Sequence, residues 1–147
     1  MSLTAFFANL PFRPDPFQQH AAEAIESGAS VVVAAPTGSG KTLVAEVAVH
    51  LALERDRRAF YTTPLKALSN QKFSDFREAY GPDRVGLLTG DNSINGSAPI
   101  VVMTTEVLRN MIYTDPAALD ALDTVILDEV HYLQDRFRGA VWEEVII

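Results

Sequence analysis

Two clusters of residues have the types and spacing to do chemistry. The first is Ala35-Pro-Thr-Gly-Ser-Gly-Lys-Thr42, entered from the β-branched run Val31–Ala35 and followed by a helical pattern. Gly38 and Gly40 let the backbone turn several N–H groups toward one anion. The first turn of the following helix adds partial positive charge. Lys41 can reach the terminal phosphates of a nucleotide, and the Thr42 hydroxyl can sit on Mg²⁺. One position departs from the general phosphate-loop motif: Ala35 stands where that motif has glycine. The second cluster is Thr124-Val-Ile-Leu-Asp-Glu-Val-His131, an apolar run ending in two carboxylates and an imidazole. Open α/β sheets bind ligands at the C-terminal ends of their strands. There Asp128 can hold Mg²⁺ through its waters, and Glu129 can accept a proton from an attacking water. Taken alone, such an acid pair reads more readily as an ordinary solvated strand end. The phosphate loop in the same chain tips the reading toward a nucleotide site. His131 reads as structural, and a chain with no Cys and three His is not expected to hold zinc.

These groups need elements to position them. Five short runs read as strands: Val31–Ala35, Ala59–Thr63, Arg84–Thr89, Ile100–Thr104 and Thr124–Leu127. Most are continuous rather than alternating, which fits strands buried on both faces of a parallel sheet. Helical spacing predicts helices over Pro16–Ser27, Lys41–Arg55, Leu65–Tyr80 and Glu106–Tyr113, with a further short one over Pro116–Leu122. Asn92–Ser97 reads as a loop. The alternation predicts an α/β fold with parallel strands and helices on both faces. Arg55, Arg57 and Arg58 cluster at a helix end, where they most simply complement the helix dipole. Tyr113, Tyr132 and Phe137 are read as packed aromatics rather than base-stacking platforms.

Composition narrows the class. The 147 residues make one domain by length. Twelve Lys and Arg against 19 Asp and Glu give a net charge of −7, which argues against a binder that works by bulk positive charge. The most apolar stretch, Leu43–Leu53, is broken by Glu46 and His50, and a span needs about 20 apolar residues. No membrane partner is expected. The N-terminus lacks the basic and apolar regions of a secretory signal, so an intracellular, cytoplasmic setting is expected.

The motif set resembles superfamily 2 helicases of the DExH type. Ala35–Thr42 and Asp128-Glu-Val-His131 look like their motifs I and II; Thr62–Lys72 looks like motif Ia; Leu87–Asp91 and Val101–Arg109 look like the Ib region. The stretch Asp128–Glu144 is very similar to the Ski-type branch, and Pro16-Phe-Gln18 resembles that branch's adenine-contacting segment. The resemblance implies a P-loop NTPase with a RecA-like sheet and ATP with Mg²⁺ as cofactors. By the same resemblance Gln18 would contact the adenine edge, with Phe12 or Phe17 near the base. Thr37, Gly38, Ser39, Gly40, Lys41 and Thr42 would hold the phosphates, Asp128 the metal, and Glu129 the water. Pro64, Leu65, Lys66, Gly90, Thr104 and Thr105 would lie along one strand of RNA or DNA, touching mostly sugar and phosphate. Each of these has a plain alternative: Thr104-Thr105-Glu106 is also a fair helix start, and Lys66 could be merely solvated.

The same resemblance implies residues 1–11 as an N-terminal extension and 12–147 as an incomplete, C-terminally truncated RecA-like domain. Motif III and a second RecA-like domain with arginine fingers would be expected beyond Ile147. The motif III strand would fill a gap between the phosphate-loop strand and the acidic strand. The 147-residue chain alone is expected to bind ATP but to hydrolyse it very slowly. A phosphate-loop module without unwinding activity is the alternative.

Overall fold

The computed structural model describes residues 3–8, 16–29, 31 and 41–128. The chain divides into two compact units, Met1–Asp56 and Arg57–Ile147. In the first, helices α1 (Leu3–Ala8), α2 (Pro16–Glu26) and α3 (Lys41–Glu54) share an apolar cluster. Ala22, Val47 and Leu51 are its buried centre, and Phe6, Phe7 and Ile25 pack against them. α2 stops at Gly28, whose φ of 92° is the left-handed conformation that glycine adopts at little cost. α3 covers the helix that the sequence predicts over Lys41–Arg55. The expected strand Val31–Ala35 and the loop Pro36–Gly40 lie outside the described residues, apart from Val31, which carries no strand.

The second unit is a sheet with a helix on each face. Its described strands are β1 (Arg58–Thr63), β2 (Val85–Leu88), β3 (Ser93–Ile94), β4 (Ile100–Thr104) and β5 (Leu122–Leu127), in the order β3-β2-β4-β1-β5. β1 pairs parallel with β4 and β5, and β2 pairs parallel with β4. Side chains alternate between faces, so the register assigns them. Phe60, Val101 and Met103 share one face with Leu108, and Val107, Met111 and Ile112 pack on that cluster. These last residues come from helix α5 (Thr105–Thr114), whose apolar positions recur at helical spacing. Tyr61 points to the opposite face and meets Phe76 edge-on, with centroids 5.6 Å apart. Phe76 belongs to helix α4 (Lys66–Tyr80), which buries Ser69, Phe73 and Phe76 at the same spacing and ends at Gly81.

Several expectations change in detail. The loop Asn92–Ser97 contains β3, which pairs antiparallel with β2 through Leu87↔Ile94 and Leu88↔Ser93. Only one apolar residue, Ile94, marks it, so no period could show. Pro116–Leu122 is not a helix but a single 3₁₀ turn, Pro116–Leu119, after which β5 begins. β5 is not buried on both faces, since Val125 is 38% exposed. Tyr113 is not packed but 65% exposed; Tyr132 and Phe137 lie outside the described residues.

The arginines do more than complement a dipole. Arg58 donates to the carbonyl oxygens of Gly96 (2.7 Å) and Ala98 (3.2 Å), and its guanidinium lies 4.9 Å from the Phe60 ring centroid. Arg57 donates to the Leu122 carbonyl at 2.9 Å and lies 3.8 Å from the Asp123 carboxylate. The register shifts beside Arg58, where Ala59 pairs with Thr124 and Asp123 is passed over. Arg57 therefore ties down an irregular strand start. In the first unit, Arg55 donates to the Glu26 carbonyl at 3.1 Å.

Gly86 sits in β2 beneath the backbone that follows β3. A Cβ there would lie 2.1 Å from the Asn95 carbonyl oxygen and 2.8 Å from that of Ile94. Both obstacles are backbone, so neither can swing away. Gly86→Ala should destabilise the fold by about 1–3 kcal/mol, read as a lower urea midpoint; an unchanged midpoint would refute the close approach.

Candidate functional site

β1, β2, β4 and β5 all run in one direction, so the residues that follow them gather at one edge of the sheet. That edge is where α/β sheets bind ligands. Pro64, Leu65 and Lys66 follow β1; Thr89, Gly90 and Asp91 follow β2; Thr104 ends β4 and Thr105 opens α5; Asp128 follows β5. Thr63 and Thr104 are direct partners in the β1–β4 register, so those two turns are neighbours. The structure thus brings all six candidate strand-contacting residues to the edge that carries Asp128.

Hydroxyl groups shape the turns. The Thr63 hydroxyl donates to the Leu65 carbonyl at 2.8 Å and lies 3.4 Å from the Ser69 hydroxyl. The Thr89 hydroxyl accepts from the Asn92 N–H at 3.1 Å, and the Thr89 N–H donates to the Asn92 carbonyl at 2.9 Å. The Thr62 hydroxyl donates to the Ile126 carbonyl at 3.0 Å, and the Asp128 N–H donates to the Thr62 carbonyl at 2.9 Å. The last pair extends the β1–β5 ladder up to Asp128.

Two helices begin at this edge without a side-chain cap. Leu65 occupies the cap position of α4 and Thr104 that of α5, and neither side chain makes a capping hydrogen bond. The positive ends of both helix dipoles therefore face this edge. Thr104 is at the helix start that its sequence suggested, but its hydroxyl does not serve as the cap. Thr105 is 2% exposed, and its hydroxyl has no hydrogen-bond partner.

Lys66 is not simply solvated. Its ammonium pairs with the Asp91 carboxylate, linking the turns after β1 and β2. The hydrogen bond from Lys66 and its positive charge hold the Asp91 carboxyl below the usual carboxylate range. Sequence reasoning quoted Asp91 only as part of a motif and missed this pairing. It also missed Tyr61, whose phenol donates to the Asp128 carboxylate oxygen Oδ2. No sequence signal pairs residues 67 positions apart; the register has to be known.

The remaining candidates divide cleanly. In the first unit, Gln18 is 3% exposed and Phe17 is half-buried, both in α2. Lys41 and Thr42 open α3. Phe12, Ala35, Thr37, Gly38, Ser39, Gly40, Glu129 and His131 lie outside the described residues. Among the described residues no three His, Asp or Glu side chains gather as a metal site. Asp128 brings a carboxylate to this edge, the kind of oxygen ligand that Mg²⁺ takes beside its waters and phosphate oxygens. Among the described residues no helix is long and apolar enough to cross a membrane.

The parallel sheet flanked by helices is the α/β fold of RecA-like helicase domains. A crystal structure of the DUF1998 helicase MrfA bound to DNA and AMPPNP superposes with a TM-score of 0.73 at 27% identity, covering 88% of this chain and 20% of that one. The DEAD/DEAH box helicase family matches residues 15–147, and the chain belongs to that family. It is 63% identical over 145 residues to the probable helicase HelY of Mycobacterium tuberculosis, covering 99% of this chain and 16% of that protein. It is 50% identical over 137 residues to the antiviral helicase SKI2 of Saccharomyces cerevisiae, covering 93% of this chain and 11% of that protein. The Ski-type resemblance is thereby borne out. The chain spans under a fifth of the length of either relative.

The Lys66–Asp91 pair has a titration signature. A carboxylate whose folded value is depressed contributes stability above its unfolded value and loses it as pH falls through the folded one. By NMR, Asp91 should titrate below the ordinary 3.8 in the native chain and return toward 3.8 in Lys66→Met. An Asp91 midpoint unmoved by Lys66→Met would show that the pair does not form in solution.

Proposed function

We propose that this chain is the ATP-binding half of a Ski-type helicase motor, gripping one strand of RNA or DNA along the C-terminal edge of its sheet. The observation that supports this most is the convergence there of Asp128, the turns after β1, β2 and β4, and two uncapped helix N-termini. Pro64, Leu65 and Lys66, with Gly90, Thr104 and Thr105, would contact the sugar–phosphate backbone. Backbone N–H groups and helix dipoles would do most of the work, which is how a chain of net charge −7 can hold a polyanion.

Thr37–Thr42 would hold the phosphates of ATP, with Lys41 on the terminal ones; Gln18 and Phe17 would meet the adenine. Thr42 and Asp128 would hold Mg²⁺, whose chemistry is to neutralise charge on the phosphate oxygens. Glu129 would orient the water and take its proton. Rapid hydrolysis and strand separation would require closure against a second RecA-like domain supplying arginines. The DNA and AMPPNP bound to MrfA lend support from a protein of the same fold.

Calorimetry tests the reading directly. Mg·ADP and Mg·ATP should bind, and Lys41→Ala should abolish binding while cooperative melting persists. Single-stranded RNA should tighten nucleotide binding. Lys66→Ala should weaken strand binding and flatten its salt dependence by about 0.7 in log–log slope, one phosphate contact's worth. Nucleotide binding with no coupling to RNA or DNA at any salt would reduce the chain to a nucleotide-binding module.

A further inference from the structure

Tyr61 is a buried phenol that none of the roles above uses. It is 3% exposed, its ring packs edge-on against Phe76 at 5.6 Å, and the Lys72 ammonium lies 5.6 Å from its centroid. Tyr61 pairs with Ile126 in the β1–β5 register, so Asp128, two residues on, is its diagonal neighbour on the same face. That diagonal is within reach of an aromatic side chain. The Tyr61 hydroxyl spans it and donates to Oδ2 of Asp128. The Asp128 backbone is held from the same strand, through its N–H to the Thr62 carbonyl at 2.9 Å.

We propose that Tyr61 is a positioning residue for the metal site, holding the Asp128 carboxylate in the rotamer that presents it to Mg²⁺. The inference rests on the reading of Asp128 as a metal ligand. A carboxylate on the residue that follows a strand has two free torsions, and only some of their combinations serve a hydrated cation. A phenol locked on two sides by Phe76 and Lys72 removes most of that freedom. Outer partners of this kind commonly change metal affinity by 10–100-fold when removed. The arrangement also has a consequence for coupling. Tyr61 lies in the strand that runs into Pro64–Lys66, so the metal-holding carboxylate is tethered to the strand that leads to the proposed nucleic-acid contacts.

The test uses the 147-residue chain and the change Tyr61→Phe, which removes one oxygen and keeps the ring. ADP binding is titrated with Mg²⁺, and binding in EDTA serves as the control for a folded site. Tyr61→Phe should raise the Mg²⁺ concentration needed for half-maximal tightening by on the order of tenfold, with ADP affinity in EDTA unchanged. Mn²⁺ binding followed by electron paramagnetic resonance should weaken in parallel. Asp128→Asn provides the second arm and should lose most of the metal dependence. Were Tyr61→Phe to match the wild type while Asp128→Asn did not, the positioning role would be overturned and the metal-ligand reading would stand. Were Asp128→Asn also to match the wild type, both would fall. A loss of ADP affinity in EDTA equal to that in Mg²⁺ would mark Tyr61 as merely structural.

Discussion

The candidate site depends on one constraint, the parallel pairing of β1 with β4 on one side and β5 on the other. β1 is sealed from water from Ala59 through Thr63, so its ladder hydrogen bonds have no competing solvent. With its neighbours aligned to it, Thr63 stands beside Thr104, and Thr62 reaches the last residue of β5 and then Asp128. A register shift of one residue would move every side chain to the other face and detach Tyr61 from Asp128. Burial of the central strands is thus what aims the polar groups at the edge. Arg57 and Arg58 guard the opposite end of β1, tying its start to the first residue of β5 and to the segment that precedes β4.

Under the proposed function, an acidic chain that grips a polyanion needs local rather than global positive charge. The edge supplies it through uncapped helix starts at Leu65 and Thr104 and through one exposed lysine. That lysine is already paired with Asp91, so a phosphate would have to compete with a carboxylate for it. Tyr113, exposed though it is, lies on α5 eight residues beyond the edge, roughly 12 Å along the helix axis. Its exposure does not place it among the strand contacts.

Much was legible in the chain alone. Four of the five expected strands recur within a few residues of their predicted bounds, because buried parallel strands are continuous apolar runs that stand out between amphipathic helices. The helix expected over Lys41–Arg55 recurs as α3, Lys41–Glu54. What escaped was short or polar: the two-residue β3, hidden among turn residues, and the 3₁₀ turn Pro116–Leu119 that looked like helix. The further contacts of the arginines left no trace in the sequence, because their carbonyl partners, such as Gly96 and Leu122, are distant along the chain and carry no side-chain signature.

Residue types and their order determined the chemistry on offer: a glycine loop ending in Lys-Thr, and an apolar strand ending in acids. These are local facts, since a motif's meaning lies in the spacing of neighbouring residues. Which groups meet was decided only by the tertiary structure. Tyr61 on Asp128, Lys66 on Asp91 and Thr63 beside Thr104 are set by strand order and register. Those depend on pairing energies summed over whole strands, and no single residue announces them.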